Sequence, residues 1–100
     1  MLEPAQISNI VVNVAKANLS PDVVSQAVTE PTSDSEGHDA LRVTIVIRPG
    51  AADKLKGDSV LDTLVEIQDR LREAGEERFA IVEYATQDEL ARIMHEGWRV

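Results

Sequence analysis

Residues 41–84 read LRVTIVIRPGAADKLKGDSVLDTLVEIQDRLREAGEERFAIVEY, and this stretch decides the fold. Leu41, Val43, Ile45 and Ile47 alternate with Arg42, Thr44, Val46 and Arg48, the period-two pattern of a strand with one face in a core. Pro49-Gly50 stops the strand, and residues 51–56 suit a short helical turn. Ser59-Val60-Leu61-Asp62 then matches a capping box, with Asp where Glu or Gln is more usual. It predicts a helix that carries Leu61, Leu64, Val65, Ile67, Gln68 and Leu71 on its buried side, with Glu66 and Arg70 paired four apart outside. Gly75 is placed to end that helix in a left-handed conformation. Phe79 to Tyr84, apolar on both sides except for Glu83, reads as a central or covered strand rather than an open edge. A strand, a helix and a strand in this order build a right-handed crossover.

Working towards the N-terminus, Glu30 to Asp39 has four acids, no base and the turn residues Pro31 and Gly37. The composition predicts a mobile, acidic hairpin loop. Val23 to Thr29 reads as a strand anchored by Val24 and Val28. Ile7, Ile10, Val11, Val14 and Ala17 follow helical spacing behind Pro4, although the β-branched run at residues 10–14 leaves a strand as the alternative. Towards the C-terminus, Thr86 caps a short helix over residues 87–96 with Leu90, Ile93 and Met94 facing inward, and residues 97–100 form a tail.

These elements predict one α+β domain over residues 1–100, a two-layer sandwich of order αββ(α)αβα with a three-stranded mixed sheet and helices mainly on one face. In element order this resembles the type II KH fold and the BolA-like proteins. A KH module carries a Gly-x-x-Gly loop between its central helices, where this chain has Lys56-Gly57-Asp58-Ser59-Val60. A BolA-like protein carries a His in its long helix, and no His lies between Asp39 and Met94. The KH resemblance implies a nucleic-acid-binding alternative, on the basic loop that holds Arg48, Lys54 and Lys56.

Eighteen acidic against ten basic side chains give a net charge of −8, a field that repels a phosphate backbone and makes nucleic acid an unfavoured partner. The chain has no cysteine, which excludes thiol catalysis and thiolate metal sites and fits a reducing compartment. Residues 1–10 carry no Lys or Arg and no continuous apolar run, so no targeting signal is read, no membrane association is expected, and a cytoplasmic location is the expectation.

Candidate chemistry is sparse. His38 stands beside Glu36 and Asp39, but in a polar loop where a solvated His is the simpler account. His95-Glu96, Glu76-Glu77 and Asp88-Glu89 sit at helix ends and turns, where such residues are ordinarily solvated. The acids Asp58 and Asp62 around Ser59 argue for a helix cap rather than an anion site. No nucleophile elbow, phosphate-binding glycine loop or metal-spaced histidine pair is present in the sequence. No catalytic residue, metal or cofactor is therefore assigned.

The function expected is a small acidic protein-interaction module, antitoxin-like or an accessory subunit, whose partner is a larger or basic protein. A homodimer is a further expectation, and a small-molecule enzyme of unknown class is the remaining alternative. The expected contact surface is the sheet face turned away from the helices, drawn as Arg42, Val46, Arg48, Val82 and Tyr84.

Overall fold

Helix α1 spans Pro4–Leu19 in the computed structural model, which describes residues 2–97 and their side chains other than those of residues 52 and 93–97. Its β-branched run does not make it a strand, because Ile7, Val11 and Val14 at helical spacing bury one continuous stripe. Pro4 occupies the first turn, and the Glu3 N–H donates to Oε1 of Gln6 at 3.0 Å. Strand β1 (Val24–Ser33) and strand β2 (Asp39–Ile47) form an antiparallel hairpin; a 3-10 turn (Ala51–Lys54) and helix α2 (Gly57–Glu73) lead to strand β3 (Phe79–Thr86) and helix α3 (Gln87–Gly97). β3 pairs parallel with β2, so the sheet order is β1-β2-β3 and the mixed α+β architecture matches the expectation.

Two boundaries differ from the sequence reading. Glu30–Ser33 is not loop but the end of β1, paired with residues 39–42. Two-sided polarity in this segment reflects a strand with solvent at its rim, and Pro31 is compatible because an edge strand can spare an N–H. The hairpin loop is therefore only residues 34–38, tied down by Asp34, whose Oδ1 accepts the N–H groups of Glu36 and His38 at 2.9 Å each. These backbone donors hold the Asp34 carboxyl below its usual range. The second difference is at α2, which starts at Gly57 with Lys56 as its N-cap, so Ser59 lies inside the first turn and uses its carbonyl to accept the Thr63 hydroxyl at 2.7 Å.

The main core lies between the sheet and the pair α1 and α2. Ile7 and Val11 of α1, Leu41, Val43 and Ile45 of β2, and Ile67 and Leu71 of α2 are all essentially inaccessible. Gly75, at φ +96°, lets the chain leave α2 in the left-handed conformation anticipated for it. Helix α3 contacts β2 and β3 and starts with the anticipated cap: the Thr86 N–H donates to Oε1 of Glu89 at 3.1 Å and the Glu89 N–H to the Thr86 hydroxyl at 3.3 Å. Of the residues expected to face inward from α3, Leu90 is half-buried, while the side chains of Ile93 and Met94 and the tail over residues 98–100 lie outside the described residues. Among the described residues no helix is long and apolar enough to cross a membrane.

Candidate functional site

Register decides which side chains share a face. Arg42, Thr44 and Val46 lie beside Ile81, Glu83 and Ala85, while Val43 and Ile45 lie beside Val82 and Tyr84. Because side chains alternate, Val82 and Tyr84 belong to the helix-covered face with Val43 and Ile45, and both pack against the main core. The outer face of β3 is instead Phe79, Ile81, Glu83 and Ala85. The proposed partner face is corrected accordingly. Val46 does sit on the outer face, but it is fully buried together with Thr44 and Ala85, under the end of the sheet where α3 makes its contacts. Arg42 is exposed and pairs with Oε1 of Glu83 at 3.4 Å. Arg48 is exposed beyond the end of β2.

Besides the Arg42–Glu83 pair, large exposed apolar side chains stand on β3 and on α2. Phe79 is 62 % exposed and Ile81 38 % exposed on the outer face of β3. On α2, Leu61 is 61 % and Val65 54 % exposed, which corrects their assignment to the buried side. The buried arc of α2 is narrower than its apolar stripe and consists of Thr63, Ile67 and Leu71. Gln68, half-buried between the two regions, donates from Nε2 to the Ala80 carbonyl at 2.7 Å and accepts the Ala80 N–H through Oε1 at 3.4 Å. That pair of hydrogen bonds to one residue's main chain stands where a neighbouring strand would otherwise be, and it places the Gln68 flank of α2 along the free edge of β3.

β3 is thus an edge strand, contrary to the central or covered position its sequence suggests. The residues that made it look central are the ones now found exposed or facing the core. Tyr84 is half-buried, and its hydroxyl is buried without a hydrogen-bond partner. Burial raises the phenol above its usual range, and the Thr63 hydroxyl of α2, on the same side, offsets part of that rise.

The entry to β3 is fixed by charge. Glu76, only 3 % exposed, accepts from Nε of Arg78 at 2.9 Å, from Nη2 of Arg78 at 3.0 Å and from the Leu2 N–H at 3.0 Å. The Arg78 side chain, foremost among these partners, overcomes the cost of burial and holds the Glu76 carboxyl down at about 2. The reading of Glu76 as a solvated acid is corrected by these contacts. The Leu2 contacts join residues 74 and 76 positions apart, and no local pattern announces them. A second cleft of about 390 Å³ lies between α1 and α2, lined by Ile10, Asn13, Glu66, Arg70 and Glu73 among others. Within it the Glu66 carboxylate is already engaged by Arg70 at 3.4 Å and Asn18 at 3.1 Å.

The remaining sequence candidates stay apart. His38 is exposed and lies 3.5 Å from Asp34 and 3.6 Å from Glu36, not against Asp39. Among the described residues no group of three metal-ligating side chains forms. Lys54 and Lys56 are exposed on the segment between β2 and α2, and neither they nor Arg48 line the α1–α2 cleft.

The fold and site together define a small α+β domain with an apolar surface around one sheet edge. Comparison with protein-family models, with curated proteins and with solved structures finds no match.

Proposed function

We propose that the chain is a protein-interaction module that engages a basic partner through the surface around β3, without catalysis of its own. The observation that carries the reading is that, among the described residues, the exposed large apolar side chains Leu61, Val65, Phe79 and Ile81 all belong to α2 and β3. Single exposed apolar residues are ordinary, whereas several around one structural feature mark a contact surface. The chain's −8 charge suits a cationic partner and disfavours a polyanion.

The test is affinity capture with three forms of the protein: wild type, the double variant Leu61→Asp/Val65→Asp, and the double variant Lys54→Glu/Lys56→Glu. Since Leu61 and Val65 are exposed, their replacement should change stability by no more than about 0.5 kcal/mol per site. A protein retained by wild type and by the lysine variant, and lost from the Leu61/Val65 variant, supports the reading. Nuclease-sensitive material lost from the lysine variant overturns it in favour of a KH-like nucleic-acid binder.

A further inference from the structure

The interaction reading leaves open what is recognised, and the geometry of the β3 edge narrows it. We propose that β3 takes an extended segment of a basic protein as a fourth strand across Val82–Tyr84, its cationic side chains lying along Leu61 and Val65 and ending at Asp58 and Asp62. This rests on the interaction reading and adds to it a main-chain mode of recognition and a charge pattern.

The main chain comes first. Gln68 bonds both the N–H and the C=O of Ala80, so Ala80 points its main-chain groups away from β2. In a strand this direction repeats every second residue. Ile81 and Glu83 therefore face β2, and Val82 and Tyr84 present theirs to the same free edge as Ala80. Among the described residues nothing hydrogen-bonds to Val82 or Tyr84 on that side. Gln68 fixes where an added strand must stop, and the main chain from Val82 to Tyr84 is what it can pair with. Strand addition of this kind takes its affinity from main-chain bonds and its selectivity from alternate side chains.

The α2 wall of the slot is apolar. On a helix turning about 100° per residue, Leu61 and Val65 lie within about 60° of Gln68, on its β3-edge side. As the crossover between parallel strands, α2 runs antiparallel to β3, and with Gln68 at Ala80 this brings the Leu61 end level with Tyr84. On the outer face the slot is bordered by exposed Ile81 and by Glu83, with Phe79 beyond the point at which Gln68 stops it.

Charge selects the occupant. The exposed acids Asp58, Asp62 and Asp69 lie just beyond Leu61 and Val65 on the same flank. Arg72, the cation of that flank, sits about 16 Å along the helix from Leu61 and is 3.8 Å from Asp69. Lys and Arg side chains suit such a wall because their stems cover apolar surface while their heads reach the carboxylates. A second copy of this chain suits it poorly. Pairing Val82 with Tyr84 of the copy sets Glu83 opposite Glu83, a repulsive cross-strand pair, between two chains of charge −8 each.

Amide exchange on isotopically labelled full-length protein tests the proposal, with acetyl-(Val-Lys)4-amide as the probe and acetyl-(Val-Glu)4-amide as its counterpart. In the free protein Ile81 and Glu83 should be protected while Val82 and Tyr84 exchange fast. The lysine peptide at saturation should slow Val82 and Tyr84 at least about tenfold, and the glutamate peptide should bind at least about tenfold more weakly. Val82→Pro removes the edge N–H and should abolish the effect; should that variant misfold, Asp58→Lys/Asp62→Lys should lower affinity for the lysine peptide about tenfold. Gln68→Ala, which frees Ala80, should extend protection to Ala80. Lysine-peptide binding that leaves Val82 and Tyr84 unprotected overturns the strand mode while leaving the interaction reading intact. Absence of binding, equal binding of the two peptides, or protection that instead rises with protein concentration through self-association overturns the proposal outright.

Discussion

The two edges of the sheet are built differently. β1 carries a register shift between Val24 and Gln26, exposed Glu30, and Pro31 within its paired length, three devices that prevent a strand edge from recruiting another chain. β3 has one side-chain amide on Ala80 and a single charge, Glu83, on its outer face, and is otherwise lined by apolar residues. The asymmetry leaves β3 the edge more open to an added strand.

The largest expected effect removes the ladder that both edges share. Ile45 is fully buried on β2, between Ala27 and Tyr84, so Ile45→Asp places an unpaired charge in the core. It should cost upwards of about 4 kcal/mol, enough to unfold many domains of this size. Arg42→Asp, exposed on the other face, loses the pair with Glu83 and should cost no more than about 1 kcal/mol. Thermal melts followed by circular dichroism decide this, and similar losses in the two variants would contradict the register on which the comparison rests.

An intermediate effect concerns β3 alone. Glu76→Gln should cost about 2 to 3 kcal/mol, because it leaves the largely buried Arg78 guanidinium without its counter-charge. The same pair sets an acid limit. Glu76 has a lowered pKa when folded, so its contribution is fully present above the unfolded value near 4.5 and is lost as pH falls towards about 2. Denaturant melts between pH 6 and pH 2 should show stability declining through that window in wild type, with a shallower decline in Glu76→Gln.

The smallest effect on stability sharpens the contrast between edges. Pro31→Val restores an N–H to the β1 rim and should shift stability by about 0.5 kcal/mol or less. Its consequence should be association: sedimentation should show a concentration-dependent increase in mass that wild type lacks. A monodisperse Pro31→Val protein would mean that Pro31 does not guard this edge.

These contrasts also show how far the sequence is legible. The strand at Leu41–Ile47, the end of α2 at Gly75 and the Thr86 cap are local signals, and each forms where the pattern puts it, although β2 is buried on both faces from Val43 to Ile47 rather than on one. The position of β3 is not local. Apolar residues on both faces report what lies above and below a strand, whereas edge or centre depends on neighbours in the plane of the sheet, which side-chain alternation does not encode. Leu61 and Val65 look like core because the apolar stripe of α2 is continuous, yet only the arc around Ile67 meets α1 and the sheet. Glu76 is hidden from any local reading because its partners include the Leu2 main chain.

The order of pairing in the sheet has a consequence for how the domain assembles. The β1–β2 ladder closes over the short turn at Asp34–His38, whereas joining β3 to β2 closes a connection of about thirty residues. The difference in closure entropy is roughly 1.5 kcal/mol, and it favours the hairpin as the earlier event. Until β3 arrives, β2 offers its own edge, with Val43 and Ile45 beside it, to any extended chain nearby. A nascent copy of this protein therefore meets its neighbours with a stickier border than the finished one.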